Sequence, residues 1–212
     1  FYNVFSGNLS GKFREYYVKN LGDRDFNSLH SYWSFKNLPD EKILDAFSIT
    51  KGSIMIDSGA FTAWSKDIEI NVDEYINWIN KWDKYVTLFG QIDVIPMPDG
   101  TVKEKEDCAK ATWENFLYMY KRLNNPQKLL YTFHVGEPFE YLQQAMDFID
   151  EQGRHLDYIA LGGLVGKTTK VREDFLTRAF NVIKESKNPN VKVHGFGVSS
   201  EKLWRKYPFE SC

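Results

Sequence analysis

Apolar residues in this chain come either in short unbroken runs or in longer stretches where they recur every three or four positions. The first pattern reads as buried strand and the second as amphipathic helix. Runs at 2–5, 53–57, 85–94, 129–133, 158–161 and 191–193 are the expected strands. A helix carrying Phe13, Tyr16, Tyr17 and Leu21 is expected to stop before Gly22, and Pro39-Asp40-Glu41 opens one carrying Ile43, Leu44 and Phe47. Asn71 with Glu74 three residues on has the spacing of a capping box at the start of 71–82. A long helix over 102–123 is stopped by Asn124-Asn125-Pro126, and Pro138 opens another that runs through Leu142, Met146 and Ile149 to Gly153. Two more come after it, one over 171–187 and a short one capped by Ser199 or Ser200 with Leu203, Trp204 and Tyr207. Residues 23–34 show no clear period and are expected to form a loop, and 208–212 look like the start of a further strand.

Strand and helix alternate six times with the start of a seventh unit, which is the signature of a parallel sheet wrapped by helices. An open doubly wound sheet is the rival. Chemistry-bearing residues follow nearly every strand rather than one Gly-rich turn, and this favours an α/β fold of the (β/α)8 TIM-barrel type. Residues 1–212 then form a single TIM-barrel catalytic domain. Such barrels typically need roughly 250 residues, so the last one or two β/α units are expected to be missing from this sequence.

Composition narrows the function. A net charge of -2 argues against a broad basic nucleic-acid face, though not against a local patch. Two cysteines, Cys108 and Cys212, make neither a disulfide framework nor a metal cluster, and a reducing, cytoplasmic setting fits them. No apolar run is long enough to span a bilayer, so no membrane partner is expected. A metal-dependent hydrolase barrel is a weaker third reading, since it would want paired histidines near a strand end and the four here, His30, His134, His155 and His194, are scattered; no metal ligand is assigned.

The candidate chemistry gathers after the strands: Ser6-Gly7, Asp57, Asp93, His134, Gly162-Gly163 and His194-Gly195 would ring the mouth of the barrel. Asp57 ends a strand, and Ser58 and Gly59 let the backbone turn sharply beside a ligand. The alternative is that Asp57 caps its own turn. His134 and His194 could equally serve as buried hydrogen-bonding groups, and Gly162-Gly163 as tight packing. The aromatics Trp78, Trp82, Trp113, Phe116 and Tyr120 are expected to fill the core rather than stack on bases.

Four stretches then carry a resemblance: Asp57-Ser58-Gly59-Ala60-Phe61, the later Asp93, Ala160-Leu161-Gly162-Gly163-Leu164-Val165-Gly166, and Gly195-Phe196-Gly197-Val198. In order and spacing the chain resembles the guanine transglycosylases, which exchange a guanine in tRNA, or in DNA in the phage branch, for a 7-deazaguanine. Ala60 and Trp64, where the tRNA enzymes usually carry a second glycine, look more like the phage and DNA-modifying branch. The resemblance implies a glycosyltransferase whose partners are nucleic acid, DNA or tRNA, and a 7-deazaguanine base.

Residue by residue, it implies that Asp57 is the general acid and base, and that Asp93 recognises the purine edge through an acceptor-only carboxylate. Ser58, Gly59, Leu161, Gly162, Gly163 and Gly197 would line the base, and His134 stands near where the tRNA enzymes place a glutamine. Exchange with a covalent glycosyl intermediate also needs a carboxylate nucleophile. Glu210 is the candidate; otherwise it is the residue beyond Cys212. No cofactor is expected in this chain, and the family's structural zinc would lie downstream. A homodimer or a partner subunit stays open, as does the alternative of a non-catalytic relative that binds base or nucleic acid without exchange.

Overall fold

The computed structural model describes residues 2–4, 19–20, 27–96 and 100–212, and the chain divides into two compact units. The first comprises Phe1–Ile92 with Met119–Leu129, and the second Asp93–Tyr118 with Leu130–Cys212. The Ser6-Gly7 turn and the helix expected around Phe13, Tyr16, Tyr17 and Leu21 lie outside the described residues.

In the first unit four strands pair in chain order and all in parallel: β1 (Tyr2–Val4), β2 (Asn27–Ser31), β3 (Ile54–Asp57) and β4 (Leu88–Gly90). Helices α1 (Tyr32–Phe35), α2 (Asp40–Ser48), α3 (Ala60–Trp64) and α4 (Val72–Trp82) connect them. Met55 and Ile56 on β3, Phe89 on β4 and Tyr75 on α4 are fully buried, each such side chain contributing about 1.5–3 kcal/mol. The side chain of Asn71 accepts from the N–H groups of Asp73 and Glu74, both at 3.0 Å, which fixes the start of α4.

Over 27–34 strand β2 and helix α1 stand where the loop of 23–34 was expected, and 23–26 lie outside the described residues. The strand escapes a hydrophobic pattern because its buried positions include polar residues. Ser28 and His30 share one face, with His30 Nε2 3.0 Å from Ser28 Oγ and Ser28 Oγ 2.6 Å from Thr50 Oγ1. Their polar atoms are satisfied by one another, so the strand is buried without being apolar.

The second unit contains α5 (Val102–Tyr120), which reaches just past its boundary, then β5 (Leu129–His134), α6 (Phe139–Asp147), β6 (Tyr158–Gly162), α7 (Thr169–Glu185), β7 (Lys192–Gly195) and α8 (Glu201–Lys206). Strands β5, β6 and β7 pair in parallel, in that order. A capping box opens α5: Thr101 Oγ1 accepts from the Glu104 N–H at 3.2 Å while Glu104 Oε2 accepts from the Thr101 N–H at 2.6 Å. Helix α6 ends at Asp147 rather than near Gly153, because Phe148 turns extended to pack edge-on against Trp113 and Phe116, and Ile149 is left exposed. Trp82, Phe116 and Tyr120 are buried, as core packing requires.

The fold is α/β with parallel pairing throughout, but, against the expectation of a (β/α)8 barrel, the described residues form no closed barrel. Closure needs every strand to be bonded on both sides around a ring. Within the units, β1 is paired on β2, and beyond β7 the chain continues only as an isolated parallel bridge between His194 and Ser211. Repetition of strand and helix specifies parallel crossovers, not the curvature and stagger that decide whether a sheet closes. No described helix is long and apolar enough to cross a membrane.

Candidate functional site

In the first unit Asp57 is the last residue of β3, and the chain turns immediately after it. Asp57 Oδ2 accepts the Gly59 N–H at 3.0 Å, and Ser58 Oγ, itself buried, accepts the Ala60 N–H at 3.3 Å. The carboxylate is therefore part of the turn it introduces, and that hydrogen bond orients it. Gly59 adopts φ 78°, where an L side chain is strained, and a Cβ there would lie 2.5 Å from Trp33 Cβ and 2.8 Å from Ser31 Oγ. The space that the missing side chain leaves is occupied by the chain of β2 and α1, so Gly59 answers to packing.

In the second unit Asp93, Gly162 and a residue the sequence did not single out, Glu137, come together around His134. His134 is the last residue of β5, with Nε2 3.3 Å from Asp93 Oδ2 and Nδ1 3.0 Å from Glu137 Oε1. Glu137 Oε2 accepts the backbone N–H of His134 at 2.9 Å, and the Glu137 N–H donates to the His134 carbonyl at 3.2 Å. The side chains are 24 %, 17 % and 11 % exposed for His134, Asp93 and Glu137. Burial disfavours the imidazolium, but the charges and hydrogen bonds of Asp93 and Glu137 outweigh it and hold the His134 pKa well above its ordinary value.

Asp93 lies just beyond β4, in an extended segment that Thr112 anchors from α5. The buried Thr112 hydroxyl accepts the Val94 N–H at 2.9 Å. Thr112 and Glu137 were both missed by sequence reasoning. The capping-like spacing of His134-Val135-Gly136-Glu137, an acid three residues after a strand end, was the available signal for the second.

In the later motifs close packing accounts for Gly162, Gly163 and Gly197, whereas Gly166, at φ 76°, has open space where a Cβ would lie. A Cβ on Gly162 would lie 2.8 Å from His134 Cδ2, so the His134 ring fills the space beside it. Gly163 takes φ 72° with its Cβ position 3.1 Å from the Val135 nitrogen, and Gly197 takes φ 70° with its Cβ position 2.6 Å from Val165 Cγ2. The Leu161 side chain is fully buried, and its carbonyl accepts the Phe196 N–H at 2.9 Å.

His194 and Glu210 stand apart from this cluster. His194 is buried within β7, its Nδ1 2.7 Å from Ser211 Oγ, which in turn lies 2.7 Å from the Tyr158 hydroxyl. Burial pushes its pKa down to about 3, so it is a neutral hydrogen-bonding group. Glu210 pairs with Lys192 at 3.3 Å, both side chains more than half exposed. Lys192 is the first residue of β7, so Glu210 sits by the amino-terminal end of that strand, whereas His134 and Gly162 sit at the carboxyl ends of theirs.

Among the described residues no group of three or more His, Cys, Asp or Glu is arranged to hold a metal ion. Set against known proteins, the chain matches no family model and no curated protein.

Proposed function

We propose that this chain is a nucleic-acid guanine transglycosylase, which exchanges a guanine in DNA or tRNA for a 7-deazaguanine through a covalent glycosyl intermediate. The observation that carries the reading is the Asp93 carboxylate, mostly buried and braced by His134 beyond the end of a parallel strand. An ionised carboxylate only accepts hydrogen bonds, and guanine offers it an N1–H and a 2-amino group side by side. Asp57, oriented by the Gly59 N–H at the end of β3, is the proton carrier.

The exchange balances as two displacements. A carboxylate attacks the anomeric carbon as the bond to guanine N9 breaks, and Asp57 supplies the proton that the leaving base takes up. The incoming 7-deazaguanine then gives its N9 proton to Asp57 and attacks the same carbon, releasing the carboxylate. Glu210, held by Lys192 at the amino-terminal end of β7, is poorly situated for the attack. The protein would work alone, as a homodimer or with a partner subunit, and bind a base flipped out of the stack.

The placement of Glu210 also favours a second reading, a non-catalytic relative that binds base or nucleic acid without exchange. Labelled-guanine exchange into tRNA and into duplex DNA separates the two. Exchange that wild type performs and that Asp57→Asn loses by about 10²- to 10⁴-fold supports the enzyme. Retained nucleic-acid binding with no exchange into either substrate replaces it with the second reading.

A further inference from the structure

We propose that Glu137 is a positioning residue for base recognition: it grips both the ring and the backbone of His134, and through that ring it fixes the carboxylate of Asp93. The inference rests on the reading of Asp93 as the base acceptor, while the line of contacts from Glu137 through His134 to Asp93 stands on geometry.

Both Glu137 oxygens are committed to one residue, Oε1 to His134 Nδ1 at 3.0 Å and Oε2 to the His134 N–H at 2.9 Å. The backbone contact fixes Glu137 over the end of β5, and the Nδ1 contact restrains the imidazole from there. Gly136, at φ 99°, makes the tight turn that brings Glu137 back over the end of β5. From β6, Gly162 supplies the space beside the ring, its absent Cβ falling 2.8 Å from Cδ2.

The consequence concerns specificity. His134 spends Nδ1 on Glu137 and Nε2 on Asp93, so both ring nitrogens are engaged before any base arrives. The imidazole therefore does not read the base. It serves as a buttress, and discrimination falls to Asp93, whose direction the buttress sets. The ligand this selects is a purine with two adjacent donors on one edge. Among the described residues the charged groups acting on the ring are Asp93, from the segment after β4, and Glu137, from the turn after β5, with the Tyr131 and Tyr141 hydroxyls near those carboxylates. Gly162 and Gly163 on the β6 side and Thr132 on its own strand carry no charge.

The test uses the whole chain and equilibrium dialysis with radiolabelled guanine and with hypoxanthine, which lacks the 2-amino donor, alongside NMR titration of the His134 ring. Glu137→Gln should weaken guanine binding by roughly ten- to a hundredfold, the worth of a hydrogen bond to a charged group, and erode the preference over hypoxanthine. It should also move the ring titration down toward the ordinary histidine range. Glu137→Asp, which keeps the charge but shortens the reach, should lose the preference while retaining more of the raised titration. If wild type binds guanine and both variants match it in affinity, preference and titration, the inference is overturned and the base reading stands. If wild type binds no guanine, the base reading falls and takes the recognition role of Glu137 with it. The titrations then report only whether the clamp on the ring is real.

Discussion

A methyl group on Gly162 would sit 2.8 Å from Cδ2 of His134, so a glycine on β6 is what lets an imidazole on β5 lie against Asp93. Gly162→Ala should therefore push the ring off its place, at a stability cost of about 1–3 kcal/mol for overpacking. Guanine affinity should fall with it. Urea midpoints and dialysis on the same preparation check both, and an unchanged His134 titration in Gly162→Ala would show that the ring had not needed the space.

The three perturbed histidines give opposite pH responses. Burial lowers His30 to about 4 and His194 to about 3, so both stay neutral in the folded chain while unfolded histidine takes up a proton below about 6.5. Folding stability should then drop as pH falls from about 6.5, by on the order of 3 kcal/mol from His30 alone by pH 4. His134 works the other way. Its raised pKa contributes stability that is full below about 6.5 and is lost as pH rises through the folded-state value. Ring signals of His30 or His194 that titrate near 6.5 in the folded protein would contradict this account.

Ser211 joins Tyr158 on β6 to His194 on β7 through one buried hydroxyl, with both distances 2.7 Å. Ser211→Ala removes two buried hydrogen bonds at once and should destabilise by about 1–3 kcal/mol. Chemical denaturation measures the loss. A change within experimental error would mean that water or a neighbouring group replaces the hydroxyl.

Thr112 holds the Asp93 segment through the Val94 N–H, and valine has the same shape without the oxygen. Thr112→Val should cost roughly 1–2 kcal/mol and weaken guanine binding, whereas Thr112→Ser should keep both near wild type. Equal behaviour of the two variants in dialysis would remove Thr112 from the set of residues that place Asp93.

The order of most elements was written plainly along the chain, because apolar runs such as 54–56 and 129–131 and the cap at Asn71 act over a few residues. That order is enough to imply a parallel α/β sheet, since crossovers of this kind leave few other pairings. Closure of the sheet was not legible, because it depends on how strongly the strands coil and stagger against one another, a property of the packed whole. Strand β2 was hidden for a related reason. Ser28, His30 and Thr50 satisfy each other only once folded, and in sequence they look like loop residues.

The candidate residues divide in the same way. Asp57, Asp93 and His134 could be picked out because each follows an apolar run, and they do lie at or just past strand ends. What each one touches was decided by tertiary structure alone. Glu137 becomes a clamp because a turn folds it back over His134, Gly162 becomes a cradle because β6 lies beside β5, and Glu210 is drawn to Lys192 by the register of the last segment. Residue type and spacing set which chemistry a chain can perform. Distances of about 3 Å between residues far apart in sequence set which of it is assembled, and only the folded backbone fixes those.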